Sequence, residues 1–209
     1  MTTNFTEKLI DKLCEISMDD AISKAQWKKY CEEAKNGDIQ ENYQILYSIV
    51  EINEFAKKND YAGADNITLN DKMFETKQNI EKAKKGLKLL KYGKLYLHNR
   101  LVDKISTKAK DKEKWAEFCN NLNPEEKYYV VEQIVSTLGK IADGKDSFIN
   151  VKKEVISNKE YLNHLKSICD GLKHFKNGND FARFLKEKRN TLSCTEKEPK
   201  KHHPYKTRN

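Results

Sequence analysis

Residues 68–106 read TLNDKMFETKQNIEKAKKGLKLLKYGKLYLHNRLVDKIS, and the fold turns on whether this stretch is one helix. Leu69, Met73, Thr76, Ile80, Ala83, Leu87, Leu90, Leu97 and Leu101 recur at steps of three and four residues, which puts them on one helical stripe. The series misses only at Lys94, whose aliphatic stem can lie along apolar surface. The spacing predicts a continuous helix over about residues 69–105, roughly 55 Å long at about 1.5 Å of rise per residue. Gly86 and Gly93 each cost about 1 kcal/mol against alanine in a helix interior, and Tyr92-Gly93 offers a C-cap that would fold the stretch into a hairpin. The stripe keeps its phase across both glycines, and no Pro, Asn or Asp flanks Gly93 to make a short turn. The unbroken rod is therefore the expectation.

The rest of the chain supplies helices to pack on it. Among 209 residues there are only 3 prolines and 8 glycines, 34% of the residues are charged, and there are almost no period-two runs of Val, Ile or Thr, so the composition predicts an all-α protein. Asn4 and Glu7 open a helix with Phe5, Leu9, Leu13 and Ile16 on its apolar face. Ser17 and Asp20 have the spacing of a cap for the next, which Asn36-Gly37 stops; Asp38 and Glu41 open a third that runs to about Lys58. Asn59 to Ile67 is a loop. Thr107 to Lys114 is lysine-rich without a large apolar residue, an exposed joint before a short helix holding Trp115, Phe118, Cys119 and Leu122. Asn123-Pro124-Glu125-Glu126 is the clearest helix start, leading Val130, Val131, Ile134, Val135, Leu138 and Ile141 to Asp143-Gly144. A helix from about Ser147 to Ile156, a capping box at Ser157 and Glu160, a stop at Asn177-Gly178 and a last short helix around Phe181, Phe184 and Leu185 complete the pattern. The expected architecture is an irregular bundle of about eight helices around the long central one.

Charge divides the chain. Residues 1–66 hold 8 basic and 13 acidic residues and read as an acidic three-helix segment; residues 67–120 hold 14 and 7 and begin a basic helical core that extends to 190. Residues 191–209 read as a disordered basic tail, and the whole carries a formal charge of +8. Such asymmetry suits a polyanionic partner, or two parts of one protein attracting each other. No apolar run approaches a membrane span and the N-terminus lacks the basic and apolar parts of a signal peptide, so a cytoplasmic protein is expected. Five widely spaced cysteines without a C-x-x-C pair agree with reduced thiols.

Catalytic and metal constellations are missing from the sequence. No H-E-x-x-H, paired-cysteine, phosphate-loop or nucleophile-elbow motif occurs, and His164, Cys169 and His174 are spaced to different helix faces, so neither metal nor cofactor is expected. Glu160 and His164 stand one helical turn apart beside Tyr161, a spacing open to acid–base work but common on any helix surface. The one stretch suited to a polyanion is the basic side of residues 68–106: Lys77, Lys84, Lys85, Lys88, Lys91 and Lys94, followed by Tyr92, Tyr96, His98 and Arg100. Regular lysines can neutralise successive phosphates and aromatics can stack unpaired bases, and Lys200, Lys201, Lys206 and Arg208 of the tail add to this. The plain alternative is a solvated face, or one that binds the acidic N-terminal helices. Trp27 and Trp115 are candidate anchors for a protein partner if exposed, and core residues if not. A non-enzymatic helical binding protein acting through protein contacts, as adaptor, regulator or inhibitor, is the expected function. Low-specificity nucleic-acid binding through the lysines is the alternative.

Overall fold

Leu89 and Leu90 interrupt the helix that the sequence reads as one rod. The computed structural model describes residues 2–58, 77–142 and 145–195, with side chains for 4–58, 77–142 and 147–187. Among them the helices are α1 (Thr2–Ser17), α2 (Lys24–Lys35), α3 (Ile39–Lys58), α4 (Lys77–Lys88), α5 (Lys91–Ser106), α6 (Lys112–Asn120), α7 (Lys127–Ile141), α8 (Lys145–Ser157), α9 (Lys159–Asn163), α10 (Leu165–Leu172) and α11 (Lys176–Thr195), with a 3₁₀ turn at Met18–Asp20. The all-α bundle is as expected. The continuous helix over 69–105 is not, because α4 and α5 are separate; residues 69–76 lie outside the described residues.

The physical reason for the break is tertiary. Leu90 is extended (φ −109°, ψ 137°) and forms an isolated antiparallel bridge with Ala21, and the Ile22 N–H donates to the Leu89 carbonyl at 2.9 Å. Leu90 sits at the N-cap of α5, where a leucine side chain can accept nothing. Asn53 of α3 caps the helix instead. Fully buried, it accepts the Gly93 N–H on Oδ1 at 3.0 Å and donates its amide to Asp20 Oδ2 at 3.0 Å, while Lys57 pairs with the same carboxylate at 3.2 Å. Gly93 is needed here because a Cβ at that position would stand 2.7 Å from the Leu87 carbonyl oxygen. Leu87 and Leu90 are both completely buried, so the stripe serves the core on both sides of the break.

The chain folds as two units, Met1–Thr107 with Asn123–Glu132, and Lys108–Leu122 with Gln133–Asn209. The acidic three-helix segment is thus joined to the basic stretch that follows: α3 packs against α1, α2, α4 and α5. Their shared core includes Ile10, Trp27, Tyr30, Leu46, Ile49, Leu87 and Tyr96, and α7 adds Tyr128. Burial of that many large side chains, each worth about 1.5–3 kcal/mol, holds the unit together. α1 buries only part of the face its sequence suggests. Ile10 goes to the core with Leu13, Cys14 and Ser17 beside it, while Phe5 and Ile16 are 66% and 49% exposed.

In the second unit Trp115 is fully buried against Phe175 (centroids 5.0 Å), Phe118 (5.6 Å) and His174 (5.9 Å). Phe181 packs on Phe148 at 5.3 Å.

Several helix starts differ from the expectation. Ser17 donates back to the Leu13 carbonyl at 2.9 Å rather than capping, and Ser23 caps α2 by accepting the Gln26 N–H at 3.4 Å. The joint before Trp115 is itself a helix start, with Asp111 Oδ1 accepting the N–H groups of Glu113 and Lys114 at 3.1 Å. Asn158, one place after Ser157, caps α9 through the Tyr161 N–H at 3.0 Å. Asn177-Gly178 lies in the first turn of α11 instead of ending a helix, and α11 continues into the expected tail as far as Thr195. Asp38 and Asn123 cap as predicted, accepting from Glu41 and Glu125 at 3.0 Å.

Candidate functional site

The lysines of α4 meet carboxylates of their own chain. Lys85 pairs with Glu33 of α2 at 3.4 Å, Lys82 with Glu41 of α3 at 3.6 Å, Lys88 with Glu132 of α7 at 2.6 Å, and Lys84 with Glu81 on α4 itself at 3.0 Å. Two of the four pairs join α4 to the acidic N-terminal helices, as the plain reading of the charge asymmetry expects. Each pair is partly exposed and contributes at most about 1 kcal/mol, so they orient the face more than they hold the fold. The Lys88 pair is the most elaborate. Tyr128 donates its hydroxyl to the same Glu132 oxygen at 2.8 Å, and the Lys88 ammonium lies 5.4 Å from the Tyr128 ring centre. Burial, then the Glu132 charge, push the Tyr128 hydroxyl well above its ordinary pKa, so it remains a donor.

The cations of α5 differ. Lys91 lies over the Tyr92 ring (5.3 Å), Arg100 over the Tyr96 ring (5.9 Å), and Lys94 donates to the Glu125 carbonyl at 3.3 Å; none of the three has a carboxylate at ion-pair distance among the described residues. Lys77, at the start of α4, is exposed. The aromatic residues beside them are not free to stack bases. Tyr96 is fully buried and His98 is 3% exposed, while half-buried Tyr92 carries Lys57 (6.0 Å) as well as Lys91. Lys200, Lys201, Lys206 and Arg208 lie outside the described residues.

His98 is the most perturbed histidine. Its ring is hydrogen-bonded to the Lys127 backbone and its Nδ1 has no partner among the described residues; burial, then the Lys127 charge, lower its pKa to about 4. It is a neutral core residue at ordinary pH.

Trp27 and Trp115 are both completely buried, which excludes them as exposed anchors. The Trp27 indole donates to the Cys14 carbonyl at 3.4 Å. Two of the acid–base candidates differ in exposure. The Tyr161 hydroxyl is buried on the Thr137 hydroxyl at 2.9 Å beside a cavity of about 30 Å³, room for about one water, whereas Glu160 faces solvent. Among the described residues no group of three or more His, Cys, Asp or Glu side chains is placed to hold a metal, and no helix is long and apolar enough to cross a membrane.

One larger concavity adjoins the lysine face. A cleft of about 240 Å³ opens where α2 turns into α3, floored by Tyr30, Ile45 and Leu46 and rimmed by Lys82, Lys85, Glu33 and Asn42. Tyr30 donates its hydroxyl to the Lys82 carbonyl at 2.9 Å and Asn42 its amide to the Ala34 carbonyl at 2.9 Å, so the polar floor is internally satisfied. The volume is below the range of about 300–1,000 Å³ usual for small-molecule sites.

What the sequence did not disclose is that Phe5 and Ile16 of the apolar side of α1, and Ile22 just before α2, stay exposed. Phe5 and Ile16 stand eleven residues apart, three turns along one side of the helix, and Ile22 is 55% exposed. Their signal was present in the amphipathic pattern, but it pointed inward. No family model, curated protein or solved structure matches the chain.

Proposed function

We propose that the protein is a non-enzymatic helical binding module that engages another protein through the exposed side of α1 and Ile22. The observation that carries this reading is the exposed set Phe5, Ile16 and Ile22, three large apolar side chains about half exposed or more on a unit that has a well-filled core. The lysine face supports it indirectly, because its positive charge is answered by Glu33, Glu41, Glu81 and Glu132. The test is affinity capture from native cells at physiological salt with the wild-type chain and a Phe5→Ser, Ile16→Ser, Ile22→Ser variant of equal helicity. A protein retained by the first and lost by the second is the expected result. Retention of the same proteins by both, or of none by either, overturns it.

Nucleic-acid binding is the second reading, favoured by the cations of α5 that lack carboxylate partners among the described residues: Lys91, Lys94 and Arg100. Each phosphate contact adds about one unit to the salt slope of affinity. A gel shift unchanged when these three become Glu, or none at low salt, sinks this reading.

A further inference from the structure

We propose that Cys14 and Cys31 form a thiol–disulfide exchange site that takes low-molecular-weight disulfides, with Cys14 the attacking thiol and Cys31 the resolving one. The geometry is that of two helices in register. Three successive turns of α2 lie against α1: the Trp27 indole donates to the Cys14 carbonyl and the Lys35 ammonium pairs with Asp11, one turn before Cys14, so Cys31, midway between them on the same side of α2, is placed against Cys14 at the shared core. The ion pair and the indole join the two helices one turn to either side of Cys31.

The two thiols are unequal in access and acidity. Cys14 is partly exposed, whereas Cys31 is 3% exposed in the core. The hydrogen bond from Cys31 lowers the Cys14 thiol, and Lys35 adds to this against the opposing effects of burial and Asp11. Donation to Cys14 and burial hold the Cys31 proton in place. The first proton therefore leaves Cys14, and the accessible sulfur is the nucleophile. No catalytic base is required. The Cys14 thiolate attacks one sulfur of an RS–SR disulfide, forming Cys14–S–SR and releasing RS⁻. Cys31 then loses its proton and attacks the Cys14 sulfur, expelling the second RS⁻, so two protein thiols become one disulfide and RS–SR becomes two RSH.

The chain carries its own comparison. Cys119 and Cys169 are buried in the other unit, and burial pushes the Cys119 thiol up to about 12. The experiment uses the full chain with Cys194→Ser, reduced and desalted, exposed to oxidised glutathione, quenched with a maleimide and read by whole-protein mass and peptide mapping. Two thiols should be lost together without a retained glutathionyl group, and one cross-linked peptide should join Cys14 to Cys31. Cys31→Ser, or Cys31→Ala if the serine variant loses helicity, should trap one glutathionyl group on Cys14. Cys14→Ser should leave Cys31 reacting about tenfold more slowly than Cys14 does in the parent. A glutathionyl adduct that persists on Cys14 while Cys31 is present, a cross-link that forms only in urea, or modification of Cys119 as fast as of Cys14 overturns the proposal.

Discussion

Acid should weaken the first unit through His98. The ring is buried with its pKa lowered to about 4, whereas an unfolded chain gives histidine its ordinary value near 6.5. Above pH 6.5 neither state binds the proton and the full stability is present. As pH falls from 6.5 to about 4 the unfolded chain takes up a proton that the folded one refuses, and stability is lost over that window. At about 1.4 kcal/mol per unit, a gap of about 2.5 units gives a loss on the order of 3 kcal/mol. That is a large part of a typical domain stability of about 5–15 kcal/mol. The measurement is urea unfolding between pH 7.5 and 4, followed by Trp27 fluorescence in a Trp115→Phe background so that only the first unit reports. Carboxylates also titrate in this range, so the informative quantity is the difference from His98→Gln, which keeps an amide donor for the Lys127 backbone and cannot be protonated. The wild-type curve should fall away from the variant's below pH 6.5. Parallel curves down to pH 4 would refute the argument.

Two glycine substitutions should act in opposite directions. Gly93→Ala drives a methyl to 2.7 Å from the Leu87 carbonyl and should destabilise by about 1–3 kcal/mol despite alanine's helix preference, whereas Gly139, with nothing within 4 Å of its Cβ position, should gain about 0.5–1 kcal/mol as alanine; denaturant midpoints decide both. Asn53→Ala should cost about 2 kcal/mol or more by leaving the buried Gly93 N–H without an acceptor, read by accelerated amide exchange at Gly93. Lys88→Met should change stability by less than about 1 kcal/mol because its pair with Glu132 is partly exposed; a larger loss would mean that Tyr128 depends on it.

The helices were legible because the hydrophobic period and the scarcity of proline act locally, and so were the caps at Asp38 and Asn123, whereas Ser17 and Ser157 misplaced theirs. The break at Leu89–Leu90 was not. Leu87 and Leu90 are three residues apart and both buried, so the stripe keeps its spacing whether the backbone between them is helical or extended. What decides is Asn53 and the Ala21–Ile22 segment, remote in sequence, and the single local trace of them is Gly93. The face of lysines was legible as charge but not as chemistry, since the partners of Lys85 and Lys88 are Glu33 and Glu132, 52 and 44 residues away. Phe5 and Ile16 show the converse limit: an amphipathic pattern says that a helix has an apolar side, not that a neighbour covers it.

The discontinuity of the first unit sets an order of events during synthesis. Tyr128, Glu132 and the Lys127 backbone group that His98 bonds belong to a segment made after Lys108–Leu122, which goes to the other unit. At about 5–20 residues per second, the ribosome needs roughly 1–5 seconds to extend the chain from Thr107 to Glu132. Throughout that interval the nascent helices have Lys88 without its carboxylate, His98 without its backbone partner and a core lacking one tyrosine. The first half of the chain can collapse while it is being made, but it reaches its final packing only once the intervening segment has left the ribosome.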